Sequence, residues 1–265
     1  MELIILIKAF ILGIVEGATE FLPISSTGHL IIAGDLLNFN DEKGKVFEIV
    51  IQLGAILAVC WEYRAKLGHV AVTAFSEKTS QRLLINLTLA FLPAAVLGLT
   101  FHHQINDYLF KPLTVACTLI LGGIAILIIE RFAPQADTTT VNNMDWKHAL
   151  KIGFAQTLAL IPGVSRSGAT ILGGVIFGLS RQAATEFSFF LAIPIMFAAT
   201  AFEMISYRNL LSWQDFDLFA VGFITAFISA LLVIKIFIRY VAKHDFTGFA
   251  WYRIIFGVAV LLYFW

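Results

Sequence analysis

Apolar runs about as long as a bilayer is thick recur along this chain, and they limit its fold more than any other feature. A spanning helix needs about 20 consecutive, mostly apolar residues. Six stretches meet that template, near 46–62, 83–102, 112–130, 185–205, 217–238 and 248–265. The 265-residue chain is 59% hydrophobic and only 14% charged. An average soluble domain is roughly 25% charged. A soluble domain with one large core is therefore excluded, and the sequence reads as an all-α integral membrane protein. Formal net charge is zero, which names no partner, and no nucleic acid is expected. Cys60 and Cys117 both lie in apolar runs and read as small packing residues rather than a disulfide. No cysteine–histidine spacing suits a metal. Met1 to Ile14 is apolar but has no basic region before it. Glu16 and Glu20 follow where a small-residue cleavage site would stand, so it is not read as a cleaved leader.

Two further apolar regions break the template. One covers about 4–33 and is interrupted at Pro23 and Gly28; the other covers about 148–178 and is interrupted at Pro162-Gly163 and Gly168. Each reads as a short helix, a polar Gly/Ser turn and a second short helix. Irregular backbone at membrane depth is tolerated only inside protein or along a water-filled cavity. A re-entrant hairpin is the simplest model for both, with one kinked span in each place as the alternative. A shift of 140 positions superposes Gly13 on Gly153, Glu16 on Gln156, Ser25 on Ser165, Thr27 on Ser167 and Gly28 on Gly168. Each copy is followed by three spans, and an odd number of crossings per half inverts the second half. The expected architecture is six transmembrane helices plus two re-entrant helix-loop-helix hairpins in an inverted repeat. The repeats cover approximately 1–133 and 146–265 of a single membrane domain, with a site near the midplane between them.

Orientation follows from Lys and Arg. With both broken regions re-entrant, one side receives Arg64, Lys66, Lys78, Arg82, Arg131, Lys147, Lys151, Arg181, Lys235, Arg239 and Lys243. The other receives Lys43, Lys45, Lys111 and Arg208, with Lys8 near the terminus. The first side is cytoplasmic by the positive-inside rule. Both termini then face outward, and the polar stretch from Pro134 to Asp145 is a cytoplasmic loop joining the halves.

The broken regions also hold the chemistry. Charged groups in apolar sequence cost roughly 2.5–3.5 kcal/mol each on insertion scales, so they mark functional sites by default. Glu16 and Glu20, spaced i, i+4, share one helix face. Two such carboxylates repel unless a proton or cation joins them. Mg²⁺ or Ca²⁺ suits oxygen ligands and commonly bridges to phosphate; a protonated pair bonded to neighbours is the alternative. Ser25, Ser26, Thr27 and His29 follow closely, so a hydroxyl nucleophile and a proton shuttle lie within one segment. Hydroxyl-rich turns are also ordinary helix caps. In the second region, Gly163 to Thr170 opens a helix with exposed N–H groups, and Arg166 offers a planar, permanently charged fork for phosphate oxygens. Ser165, Ser167 and Thr170 can add donors. The Lys-Ser/Thr ending of a nucleotide P-loop is absent. A structural pairing of Arg166 with Glu16 or Glu20 is compatible with phosphate binding later. Gln156 and Gln52 are candidate supporting donors, Glu48 and Glu186 open corresponding spans, and His102 and His103 end a span at headgroup level. Trp61, Tyr63, Trp251, Tyr252 and Trp265 read as interfacial anchors.

Glu-x-x-x-Glu followed by Pro-Ile-Ser-Ser-Thr-Gly-His, and later Pro-Gly-x-Ser-Arg-Ser-Gly-Ala-Thr, resembles the signature of the bacterial undecaprenyl pyrophosphate phosphatases of the bacitracin-resistance type. The resemblance spans the whole chain in length, span pattern and motif placement. It implies an inner-membrane enzyme that removes the terminal phosphate of undecaprenyl diphosphate, recycles the lipid carrier for peptidoglycan and confers tolerance to bacitracin. It also implies a divalent-metal requirement and a site open to the periplasm. Carried onto this chain, Glu16 and Glu20 would hold metal or activate the nucleophile. Ser26 and His29 would be nucleophile and acid–base partner, and Arg166, with Ser165 and Thr170, would grip the diphosphate. The expected partners are the polyprenyl substrate and membrane lipids, and a homodimer is one assembly this reading allows. The nucleophile stays open between Ser26, His29 and water. The phosphatidic-acid phosphatase type needs a histidine about six residues after its arginine, where this chain has Leu172, and is excluded. The alternative from another class is an inverted-repeat transporter or flippase that binds a lipid phosphate without cleaving it.

Overall fold

The computed structural model describes residues 3–39, 42–109, 111–206 and 215–265. Among these the chain is a set of α-helices: α1 (Leu3–Thr19), α2 (Ser26–Leu36), α3 (Glu42–Glu62), α4 (Arg64–Thr73), α5 (Lys78–Leu109), α6 (Pro112–Phe132), α7 (Trp146–Gln156), α8 (Arg166–Ile176), α9 (Arg181–Ser206), α10 (Phe216–Val241) and α11 (Thr247–Phe264). One isolated bridge, Thr138 to Leu179, is the only β pairing among the described residues.

Five helical stretches are long and apolar enough to cross a membrane: Lys78–Phe101, Pro112–Phe132, Arg181–Ser206, Phe216–Val241 and Thr247–Phe264. A sixth span results if Val46–Glu62 and Arg64–Thr73, bent by 75° at Tyr63, count as one. The six stretches expected from the sequence thus find their helices, the first of them in bent form. Lys43, Lys45 and the imidazoles of His102 and His103 lie outside what is described, as does Arg208.

The helices are apolar outward and small inward. On α10, Ile224, Ile228, Leu232 and Ile236 are exposed in one stripe, while Gly222, Ala226 and Ala230 are buried on the opposite face. Lipid solvates the large side chains as well as a core would, so close backbone approach decides the packing. Gly13 and Gly17 of α1 press against α10, where an added Cβ on either would strike backbone carbonyls of Gly222 or Ala226. The same logic sets α7 against α5: a Cβ at Gly153 would meet the Ala90 backbone. Further contacts join α3 to α9 and α10, and α6 to α11. The inner core is aromatic, with Phe21, Phe189, Phe190, Phe237 and Phe246 in one buried cluster.

Both broken regions are broken where the sequence requires it. Between α1 and α2 the chain turns through Glu20–Ser25, and Pro23 lacks the N–H that a continuing helix would need. Between α7 and α8 it passes a short 3-10 turn at Thr157–Leu160 and then Pro162-Gly163. Each second helix starts after a serine in the left-handed region, Ser25 at φ 69° and Ser165 at φ 77°. Such a backbone costs a non-glycine residue about 1–3 kcal/mol and persists only where surroundings impose it.

Candidate functional site

The two turns meet. Ser167 Oγ of the second donates to Leu22 O of the first at 2.6 Å. The starts of α2 and α8 border one polar cavity of about 150 Å³, lined by Glu20, Ser25, Ser26, Thr27, Gln52, Pro162, Gly163, Ser165 and Arg166 among others. Two helix N-termini beside one cavity give it partial positive charge and a bias toward anions. Ser165 caps α8 by accepting from Gly168 N at 3.1 Å, and its hydroxyl lies 3.0 Å from that of Ser167.

Glu20 joins the halves chemically. Its Oε1 accepts from Arg166 Nη2 at 3.0 Å, and its Oε2 accepts from Ser26 Oγ in a very short bond. Arg166 is steadied from behind. Its Nη1 donates to Ser188 O at 3.1 Å on α9, and its guanidinium lies 5.7 Å from the Phe21 ring centroid. A hydroxyl aimed at a carboxylate, with a guanidinium on the other oxygen, is the set of groups that a nucleophile, a base and an anion clamp require.

The remaining sequence candidates divide. Ser25, Thr27 and Ser165 line the cavity, and so does Gln52. Glu16, His29, Gln156, Ser167 and Thr170 do not line it. Thr170 is buried, accepts or donates at 2.6 Å with Ser188 Oγ, and donates back to Arg166 O at 2.9 Å; it braces the clamp from within the helix. Ser167 is spent on the contact between loops. Gln156 is buried on α7, with Nε2 3.4 Å from Ala90 O. His29 is turned toward α11: its Nδ1 donates to Ser25 O at 2.7 Å, and its Nε2 lies 2.6 Å from Tyr252 Oη. A carbonyl only accepts, so the proton sits on Nδ1 and Nε2 receives the tyrosine hydroxyl. His29 also stacks on Phe256 with centroids 4.2 Å apart.

Sequence reasoning missed two residues of α11. Tyr252, read as an interfacial anchor, holds His29. Arg253 is 1% exposed and bonds to backbone carbonyls of both turns. One signal was available, because Arg253 is the lone charge in the stretch 248–265.

A hard divalent cation fits part of this donor set. Glu16 is fully buried, and neither of its carboxylate oxygens has a hydrogen-bond partner among the described residues. With Glu20 it offers oxygen donors of the right chemistry. No cluster of three or more His, Cys, Asp or Glu able to hold a metal occurs among the described residues.

Fold and site together define a multi-pass membrane protein with a polar cavity between two helix-turn-helix segments. The chain belongs to the bacitracin resistance protein BacA family, whose model matches residues 9–259. It is 62% identical to an undecaprenyl-diphosphatase of Methylobacillus flagellatus over the whole of both chains. It is 62% identical to one of Nitrosospira multiformis, covering 99% of this chain and 96% of the relative. A relative of the same name in Cupriavidus metallidurans is 54% identical, covering 100% and 97%.

Proposed function

We propose that this chain is a lipid diphosphatase that removes the terminal phosphate of undecaprenyl diphosphate, returning the monophosphate carrier to envelope polymer synthesis and conferring bacitracin resistance. The observation that carries this reading is the Ser26–Glu20–Arg166 chain across the two turns. The full-length relatives named undecaprenyl-diphosphatase support it. Pockets for drug-sized ligands run to about 300–1,000 Å³. The smaller cavity here suits a phosphate headgroup, with the prenyl chain left among the lipids.

In the proposed reaction Arg166 and the starts of α2 and α8 hold the non-bridging oxygens of the terminal phosphoryl group. Ser26 Oγ attacks phosphorus while Glu20 takes its proton. The phosphorus–oxygen bond of the anhydride breaks, and undecaprenyl phosphate leaves. Water then attacks the phosphoserine and releases inorganic phosphate. Glu16 and Glu20 would hold a divalent cation, which supplies neutralisation of phosphate charge when bound. His29 fixes the carbonyl of Ser25, and with it the turn that presents Ser26.

The experiment is phosphate release by detergent-purified protein from a prenyl diphosphate of C15 or longer. Glu20→Gln should lose at least about 10² in rate, the scale of one preorganised charge. Acid-stable phosphoserine should be trapped in the wild type and absent in Ser26→Ala. No phosphate release by the wild type would favour the transporter alternative, and wild-type turnover in Ser26→Ala would transfer the attack to water.

Two re-entrant hairpins in an inverted repeat complete the proposal, with the cavity open to the periplasm of the inner membrane. Support comes from equivalent positions. Ser25 and Ser165 share the same left-handed backbone and the same place before a helix. The packing of α1 on α10 is matched by that of α7 on α5, and Gly13 and Gly153 make the two close approaches.

A further inference from the structure

Arg253 uses every N–H it has. Its Nε donates to Leu119 O at 3.3 Å. Its Nη1 donates to Pro23 O at 3.1 Å and Val164 O at 2.9 Å. Its Nη2 donates to Thr118 O at 3.1 Å and Gly163 O at 3.0 Å. An arginine has five such donors in a fixed planar fork. Here all five meet backbone carbonyls, drawn from the first turn, the second turn and α6. The side chain is 1% exposed, and none of the ion pairs among the described residues includes it.

The choice of group is informative. A charge buried this deeply in apolar sequence is retained only for a reason. Carbonyls facing one another in a turn repel, and a planar cation between them removes that repulsion while fixing their mutual angles. Pro23 lies three residues after Glu20 and three before Ser26. Gly163 and Val164 lie three and two residues before Arg166. The guanidinium therefore clamps the backbone of both turns. The rest of the chain makes room for it. A Cβ at Gly122 of α6 would collide with Arg253 Nη2, so glycine is needed where the guanidinium lies flat.

We propose that Arg253 is a positioning residue for the phosphatase reaction: it locks the two loops in the relative placement that sets Ser26 and Arg166 around one phosphoryl group. All five of its hydrogen bonds go to main-chain carbonyls, so it acts through the main chain of both turns. This rests on the function proposed above, and the test separates the two. Arg253→Lys, Arg253→Met and Gly122→Ala are purified beside the wild type. Folding is followed by monodispersity and thermal unfolding, and turnover of a prenyl diphosphate by kcat and KM.

Arg253→Met should lose at least tenfold in kcat with KM changed less than threefold, because the groups that bind phosphate are present but misaligned. Lysine keeps the charge but has three donors and no fork. Arg253→Lys should therefore restore folding more fully than it restores kcat. Gly122→Ala is the second arm, for the case in which the Arg253 variants do not fold. Alanine there pushes the guanidinium off its carbonyls, so stability falls on either account, and a purely structural role leaves kcat unchanged in the protein that stays folded. The clamp expects a fall of threefold or more in kcat in a folded protein. A folded Arg253→Met with wild-type kcat, or Gly122→Ala with wild-type kcat, overturns the proposal. A wild type that releases no phosphate overturns the function instead.

Discussion

Removing either end of the Glu20–Arg166 pair should destabilise the protein, whereas removing both should not. The side chains are 9% and 13% exposed, and the Nη2–Oε1 distance is 3.0 Å. Solvent screening is small at that burial, so the surface-pair range of about 0–1 kcal/mol does not apply. A buried charge stripped of its partner typically costs about 3–5 kcal/mol. Arg166→Gln also gives up the bond to Ser188 O, while Glu20→Gln keeps a group able to accept from Ser26. Arg166→Gln should therefore sit toward the upper end of that range and Glu20→Gln toward the lower end. The double variant has no uncompensated charge and should recover to within about 2 kcal/mol of the wild type, since neutral replacements of buried pairs are often tolerated. The assay is a double-mutant cycle read by reversible unfolding in mixed micelles, with phosphate release measured on the same samples. Stability should show a coupling of at least about 2 kcal/mol, and activity should stay lost in all three variants. A coupling below about 0.5 kcal/mol, the level at which independent sites add, would refute a direct buried pair. Activity returning in the double variant would refute its catalytic role.

Tyr252→Phe removes the hydroxyl that meets His29 Nε2 and should lower stability by about 1 kcal/mol and turnover severalfold; unchanged turnover makes His29 independent of α11. Excess chelator should abolish phosphate release, and Mg²⁺ or Ca²⁺ should restore it, with Glu16→Gln needing more cation; full activity in chelator removes the metal from the reaction. In intact cells an impermeant thiol reagent should miss Ala136→Cys, an exposed position in the loop between α6 and α7, and reach Lys111→Cys.

What the sequence made legible was set by solvation. Length and apolarity place α5, α6, α9, α10 and α11, because lipid leaves no other use for 20 such residues. Pro23 and Pro162 mark the breaks because a missing N–H is visible in one letter. The pairing of Glu20 with Arg166 was foreseeable because charges in apolar sequence need each other. Direction was harder to read. Thr170 opens the second turn of α8, where a hydroxyl is free to face a ligand or bond back to the carbonyl four residues earlier, and only tertiary contacts with Ser188 decide. His29 and Tyr252 are 223 positions apart, and no local pattern links them. Arg253 escaped because basic residues were sorted by membrane side. It belongs to neither side, and that exclusion was itself the clue.

The engagement of Arg166 before any phosphate arrives has a consequence for selectivity. A ligand must displace a tethered rival, the Glu20 carboxylate, from the guanidinium. An anion with one phosphate gains little by the exchange, since it offers much what the carboxylate already gives. A diphosphate has oxygens enough for Arg166 and for the two helix starts that border the cavity, and in the proposed reaction that decides the contest. Glu20 there already receives the Ser26 hydroxyl on its other oxygen, so the exchange leaves the base in place and frees only the guanidinium. In the proposed reaction the guanidinium stays with the phosphoryl group until water has released inorganic phosphate, and the carboxylate then reclaims it. Discrimination between substrate and product then requires no group dedicated to counting phosphates.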